Sequence, residues 1–297
     1  MVGSVVAALA GCGGGSERGD VASPAPTLAP ELAALYDYDR TAPLAFQEAG
    51  VREQDGAEIH DVSYAGPGGR VTAYLIKPPG DGPFPAVVFM HGAPGGRVTF
   101  FGEAVELAGR GVLSLLPDAP FARPPHPPPL AFTDADREQF AQTVVELRRG
   151  VDLLVAREDV DPSRLGYVGF SWGGFLGAPF AAVERRVASF VLVSGGPHIG
   201  QRAAEIGEAE GHADLAAYEE SMAVLDAVDY LPHAAPNALL LQFGNEDEEP
   251  APAEQRELAA SASEPNDVRY YDAGHDLTSE ARAEREDWLA ARFDLDG

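Results

Sequence analysis

The strongest constraint on this chain is a hydrophobic rhythm that changes repeatedly along it. Ala86-Val87-Val88-Phe89-Met90 is apolar at every position, as a strand buried on both faces must be. Val112–Leu116, Leu165–Phe170 and Phe190–Val193 look similar, and two more runs follow at Ala238–Phe243 and Val268–Tyr271. Helical patterns separate them over Thr99–Arg110, Asp134–Arg157, Trp172–Val183, Pro252–Ala262 and Thr278–Arg292. Upstream, Glu58–Tyr64 and Arg70–Lys77 alternate apolar and polar residues around Gly66-Pro67-Gly68-Gly69, which predicts a hairpin with one solvated face. An antiparallel opening hairpin followed by β-α units predicts an α/β fold. Its central sheet is mostly parallel, helices cover both faces, and 31–297 form one domain.

Composition narrows the partners. Lys and Arg number 21 against 47 Asp and Glu, so the net charge is −26, and such a surface repels nucleic-acid backbones. The single cysteine, Cys12, excludes an intramolecular disulfide framework and a thiolate zinc cluster. No metal or organic cofactor motif is present, and no run reaches the ~18 apolar residues of a membrane span.

The first 30 residues have a different character. A short apolar stretch over residues 2–10 has the length of a signal-peptide core and ends in Leu9-Ala10-Gly11-Cys12. That tetrapeptide resembles the bacterial lipobox, in which the signal is cut before a cysteine that carries lipid. No Lys or Arg precedes the apolar core, which departs from the pattern. The resemblance implies an exported lipoprotein held at the outer face of the membrane by lipid on Cys12. Residues 13–30, rich in Gly, Ser, Pro and Ala, read as a flexible tether.

In doubly wound sheets ligands sit at the carboxyl ends of strands, and four features fall there. Strand Leu165–Phe170 runs into Gly169-Phe170-Ser171-Trp172-Gly173, and a helix begins at once. This is a nucleophile elbow: the glycines clear space in a tight turn and leave the Ser171 hydroxyl exposed. A serine needs a base, and His275 is the best placed, in Asp272-Ala273-Gly274-His275 between the last strand and the last helix. His198 also follows a strand but precedes any candidate acid. The base needs a carboxylate to fix its tautomer. Asp247, three residues past Gly244 at the end of a buried strand, is the choice, with Glu246 and Glu248 as rivals in the same acidic turn. Finally, His91-Gly92-Ala93-Pro94-Gly95-Gly96 follows the strand ending at Met90. The oxyanion formed by attack at a carbonyl needs two N–H donors, and the amides of Ala93 and Trp172 are the candidates. Pro94 has no N–H.

These residues resemble the α/β-hydrolase superfamily, more narrowly its dienelactone-hydrolase-like and prolyl-oligopeptidase-like branch. Further marks are Tyr36-Asp37-Tyr38-Asp39 with Ala42-Pro43-Leu44, Pro83-Phe84-Pro85-Ala86-Val87 before His91-Gly92, and Val160-Asp161-Pro162-Ser163-Arg164-Leu165 before the elbow. Together they cover roughly residues 36–292. The resemblance implies Ser171 as nucleophile, Asp247 as acid, His275 as base and a small-molecule carboxylic ester as substrate. Dienelactone hydrolases proper carry cysteine where this chain has Ser171. The related peptidases carry a propeller, whose blades need ~40 residues each, more than the ~35 before the first strand here. Esterase therefore outranks peptidase. Acyl transfer and a non-catalytic binding role on the same fold stand as alternatives.

Two segments bear on specificity. Pro117–Leu130 is a proline-stiffened loop after a strand end, either at the mouth of the site or a plain surface connection. Within 197–236, Leu215, Tyr218, Met222 and Leu225 form a stripe at helical spacing, which predicts an amphipathic helix packed on the body in the position of a lid.

Overall fold

The protein is described by a computed structural model over residues 26–295, and Cys12 with the apolar run before it lies outside the described residues. Helix α1 (Pro30–Ala34) leads to β1 (Gln47–Gln54), β2 (Ala57–Gly66), β3 (Gly69–Lys77), β4 (Phe84–Met90), α2 (Phe101–Gly109) and β5 (Leu113–Pro117). Then come α3 (Asp134–Val155), β6 (Val160–Phe170), α4 (Trp172–Val183), β7 (Ser189–Val193), α5 (Ile199–Ala209) and α6 (Ala216–Met222). The chain closes with β8 (Ala238–Gly244), α7 (Pro252–Ser261), β9 (Asn266–Tyr271) and α8 (Ser279–Arg292).

The strands form one sheet in the order β1-β2-β3-β5-β4-β6-β7-β8-β9. Pairings from β5 to β9 are parallel, whereas β1, β2, β3 and β5 pair antiparallel. The apolar runs now have their cause. Along β4, Ala86, Val88 and Met90 face one core while Val87 and Phe89 face the other. Along β7, Phe190 and Leu192 face the first, and Val191 and Val193 the second. Period two with two apolar sides leaves no polar position. The first core packs under α3 and α4 with Val144, Leu147 and Phe180, the second under α2 and α8 with Leu107 and Leu289. Each such side chain taken wholly from water contributes ~1.5–3 kcal/mol.

Several elements differ from the sequence reading, among them α1 and the edge strand β9, whose Arg269 and Tyr270 are exposed. The antiparallel part holds three strands, because β1 adds to the expected hairpin; it is exposed at every residue and carries an irregularity between Glu48 and Gly50, so no alternation marks it. Strand β6 starts at Val160, five residues early, since Phe84 of β4 already pairs with Val160. Helix α5 was not expected.

The predicted stripe is buried: Leu215, Tyr218, Met222 and Leu225 all join the first core. The Tyr218 hydroxyl also donates to Asp136 at 2.8 Å, and Asp136 accepts from the Ala131 and Phe132 amides. In the proline loop, Arg123 is fastened to Glu146, while Pro124–Pro128 are exposed. The end of the expected tether touches the body, with Leu28 against the first core and the Pro26 carbonyl 2.7 Å from the His233 ring. Among the described residues no helix is long and apolar enough to cross a membrane.

Candidate active site

The chain passes from β4 to β5 on one side and returns to β6 on the other, so the sheet reverses direction between β4 and β6. The turns that leave these two neighbours meet at that point, where doubly wound sheets bind ligands. Ser171 stands at the end of β6 with φ 54° and ψ −114°. A side-chain-bearing residue held there stores strain of order 1–3 kcal/mol, offset by the packing around it. A Cβ on Gly169 would lie 2.2 Å from the Gly173 carbonyl oxygen, and one on Gly173 would lie 2.2 Å from the Met90 carbonyl oxygen. Only glycine allows the strand, the turn and α4 to approach this closely. The Ser171 amide donates to the Val193 carbonyl at 2.9 Å, tying the elbow to β7. Among the described residues the Ser171 hydroxyl has no hydrogen-bond partner.

The turns after β8 and β9 pack backbone against backbone. A Cβ on Gly244 would fall 2.3 Å from the Ala273 carbonyl oxygen, and the Glu246 amide donates to that oxygen at 2.9 Å. This juxtaposition brings Asp247 to His275: Nδ1–H donates to Oδ2 across 2.8 Å. The other carboxylate oxygen accepts from the Glu249 amide at 2.9 Å. The Asp247 side chain is 3% exposed and that of His275 35%. A buried acid therefore orients a ring whose other edge can reach solvent or substrate. Glu246 and Glu248, the rivals in the same turn, are exposed.

His275 is also held toward the elbow. Its carbonyl accepts from the buried Ser194 hydroxyl at 2.8 Å, and its ring lies 5.0 Å from that of Phe170, the residue before Ser171. The four sequence-nominated features thus gather at one end of the sheet, around the carboxyl end of β7.

The oxyanion candidates sit on the other side of Ser171. A Cβ on Gly92 would lie 2.8 Å from Ser171 Cβ, so the turn after β4 presses on Ser171. Among the described residues the amides of Ala93 and Trp172 meet no acceptor. Trp172 opens α4, where the first-turn N–H groups have no partner inside the helix. The arrangement provides two free donors beside a hydroxyl, with a carboxylate-oriented imidazole opposite. That is the set acyl transfer requires.

Sequence reasoning missed two residues here. Ser194, at φ 50° after β7, anchors the His275 carbonyl. His91, buried after β4, contacts Gly92 and Ala119. Both follow strands, which is the signal that singled out His275. No three His, Cys, Asp or Glu side chains cluster as metal ligands among the described residues. A groove of about 810 Å³ on the outer side of α3, lined by Leu32, Leu35, Tyr38, Ala141 and Val145, holds none of the four features.

A family model described as alpha/beta hydrolase fold matches residues 85–217. Acyl-coenzyme A thioesterase 3 of Mus musculus is 26% identical over 159 residues, which cover 48% of this chain and 33% of that protein. Acyl-coenzyme A amino acid N-acyltransferase 2 of Rattus norvegicus is 30% identical over 140 residues, 44% of this chain and 31% of that protein. The chain thus spans about a third of the length of the curated relatives it matches. Acetyl xylan esterase 1 from Thermoanaerobacterium sp. JW/SL YS485 superposes with a TM-score of 0.75 at 17% identity, covering 90% of this chain and 95% of that one. An acetyl xylan esterase from Paenibacillus sp. R4 gives 0.73 at 20% identity, covering 88% and 92%. These superpositions extend the fold likeness over most of the chain, which has the α/β-hydrolase fold.

Proposed function

We propose that this protein is a serine hydrolase that cleaves small carboxylic esters through an acyl-enzyme on Ser171. The observation that carries the reading is the strained Ser171 elbow standing across β7 from the 2.8 Å Asp247–His275 pair. Ser171 Oγ attacks the ester carbonyl while His275 Nε2 takes its proton. The Ala93 and Trp172 N–H groups stabilise the tetrahedral oxyanion. His275 returns the proton to the departing alkoxide, and a water then repeats the cycle on the acyl-enzyme. Asp247 remains a carboxylate and keeps Nδ1 protonated throughout.

The matches to thioesterases and an N-acyltransferase favour a second reading, in which the acyl donor is a coenzyme A thioester and the acceptor need not be water. Charge weighs against it. Glu246, Glu248, Glu249, Asp272 and Asp276 are exposed on the turns carrying Asp247 and His275, in a chain of net charge −26. A donor bearing several phosphates is repelled from such a rim, whereas an uncharged ester is not. A p-nitrophenyl ester chain-length series, run beside acetyl-coenzyme A with Ser171→Ala as the blank, tests both. Hydrolysis of the esters with slow thioester turnover supports the first reading. Faster thioester turnover, or acyl transfer to added alcohols or amines, supports the second.

A further inference from the structure

We propose that His91 is a positioning residue for the oxyanion hole, aiming the Ala93 N–H by holding the carbonyl on the opposite side of the same peptide. The proposal rests on the reading of Ala93 as an oxyanion donor.

The geometry is a short chain of donors and acceptors. The Ala119 amide, just past β5, donates to His91 Nε2 at 3.0 Å. An amide can only donate, so Nε2 must be bare and the ring proton sits on Nδ1. Nδ1 lies 2.7 Å from the Gly92 carbonyl oxygen and donates to it. The Gly95 amide donates to the same oxygen at 2.8 Å. The Gly92 carbonyl is thus gripped by two donors. In a planar trans peptide the following N–H points opposite to the C=O, so fixing the Gly92 oxygen fixes the direction of the Ala93 N–H. The peptide that carries this N–H starts at Gly92, where an added Cβ would lie 2.8 Å from Ser171 Cβ.

The surroundings keep the ring in this state. His91 is 2% exposed and packs edge-on against Phe121 at 5.4 Å. Burial holds its pKa below the ordinary histidine value, against the opposing pull of the Gly92 carbonyl and Asp118. A second tie acts on the same turn: Asp118, beside Ala119, accepts from the Arg97 amide at 2.8 Å and from the Thr72 hydroxyl at 2.6 Å. The donor turn after β4 is therefore moored to the end of β5 at both of its ends. His91 supplies the tie nearest Ser171.

Three variants and one spectrum test this. His91→Ala should lower kcat on p-nitrophenyl acetate roughly 10- to 100-fold with KM within about threefold, since an oxyanion donor acts in the transition state. His91→Asn places an amide N–H where Nδ1 stood and should recover most of the loss. His91→Gln offers an acceptor to Ala119 but no donor at the Nδ1 position, and should behave like His91→Ala. A residue that merely fills space would make the Asn and Gln variants equal, with kcat tracking the melting temperature; that result overturns the proposal. Independently of activity, the imidazole ¹⁵N spectrum of wild type, with His91 assigned by its loss in His91→Asn, should show protonated Nδ1 and bare Nε2 from about pH 7.5 to 8.5. An Nε2–H tautomer or an imidazolium in that range overturns it as well. If Ser171 takes up no acyl group, the hydrolase reading fails while the spectrum still decides the arrangement at His91.

Discussion

Asp247 Oδ2 accepts a hydrogen bond from His275 Nδ1 at 2.8 Å, and it does so from a buried side chain flanked by exposed glutamates. One imidazole N–H can satisfy only one carboxylate in this way, so the acidic turn contains one orienting acid. Asp247→Asn should lower kcat on ester roughly 10⁴-fold by favouring the wrong tautomer. Glu246→Gln and Glu248→Gln should stay within about tenfold of wild type, because exposed charges act only through screened electrostatics. Steady-state kinetics of the three variants decides it. An active Asp247→Asn beside a dead glutamate variant would reassign the acid.

The elbow glycines make a stability prediction. The atoms that a Cβ on Gly169 or Gly173 would strike are backbone carbonyls, which cannot swing aside. Gly169→Ala and Gly173→Ala should each destabilise by about 3 kcal/mol or more, a fall of roughly 6–10 °C in Tm. Gly102→Ala, where nothing lies within 4 Å of the added carbon, should leave Tm within about 2 °C. Thermal melts of the purified variants check the contrast. An unchanged Tm for Gly169→Ala would mean that the turn is looser than described.

His198 connects the insert between β7 and β8 to α7. Its two ring nitrogens lie 3.0 Å from Asp226 and 3.1 Å from Glu257, so both bonds form fully only in the imidazolium. Burial disfavours that charge, but the two carboxylates outweigh it and the pKa is raised. A raised folded-state pKa gives stability that is complete below the ordinary value near 6.5 and lost as pH rises through the folded value. Wild type should therefore exceed His198→Gln in Tm by more at pH 6 than at pH 9. A gap that widens with rising pH contradicts the assignment.

Much of this was legible because two-sided burial writes itself into a strand. The runs at 86–90 and 190–193 alternate between two cores, so every position in them is apolar. Ser171 and Asp247 could be nominated because each follows such a strand, and His275 because it follows the last strand, the partly exposed edge strand β9. Strand β1 could not, since all its residues are exposed and its pairing depends on β2 alone. Its place three residues past Gly244 favoured Asp247 over its neighbours, but the packing of Gly244 on Ala273 that brings it to His275 is a contact between segments about thirty residues apart that no local pattern records. His91 was hidden for a similar reason. Its partner Ala119 lies beyond β5, and an amide has no side-chain signature.

The lipobox-like segment gives a fourth prediction. If Cys12 carries lipid, full-length protein produced in a bacterial host should fractionate with membranes, and Cys12→Ser should move to the soluble fraction or remain as uncut precursor. Equal fractionation of the two forms rejects a lipid anchor and leaves the catalytic account untouched.

The central claim is that Ser171 becomes acylated. The measurement that meets it most directly is intact-protein mass spectrometry after rapid mixing with p-nitrophenyl acetate, with Ser171→Ala mixed in parallel. The account predicts one acetyl adduct on wild type, mapping to Ser171 by peptide digestion and decaying at the turnover rate. It predicts no adduct on the folded Ser171→Ala protein, whose residual hydrolysis exceeds that in water by about 10³-fold through the oxyanion hole and binding alone. Wild-type-like turnover by Ser171→Ala, or an adduct on another residue that decays at the turnover rate, would contradict it.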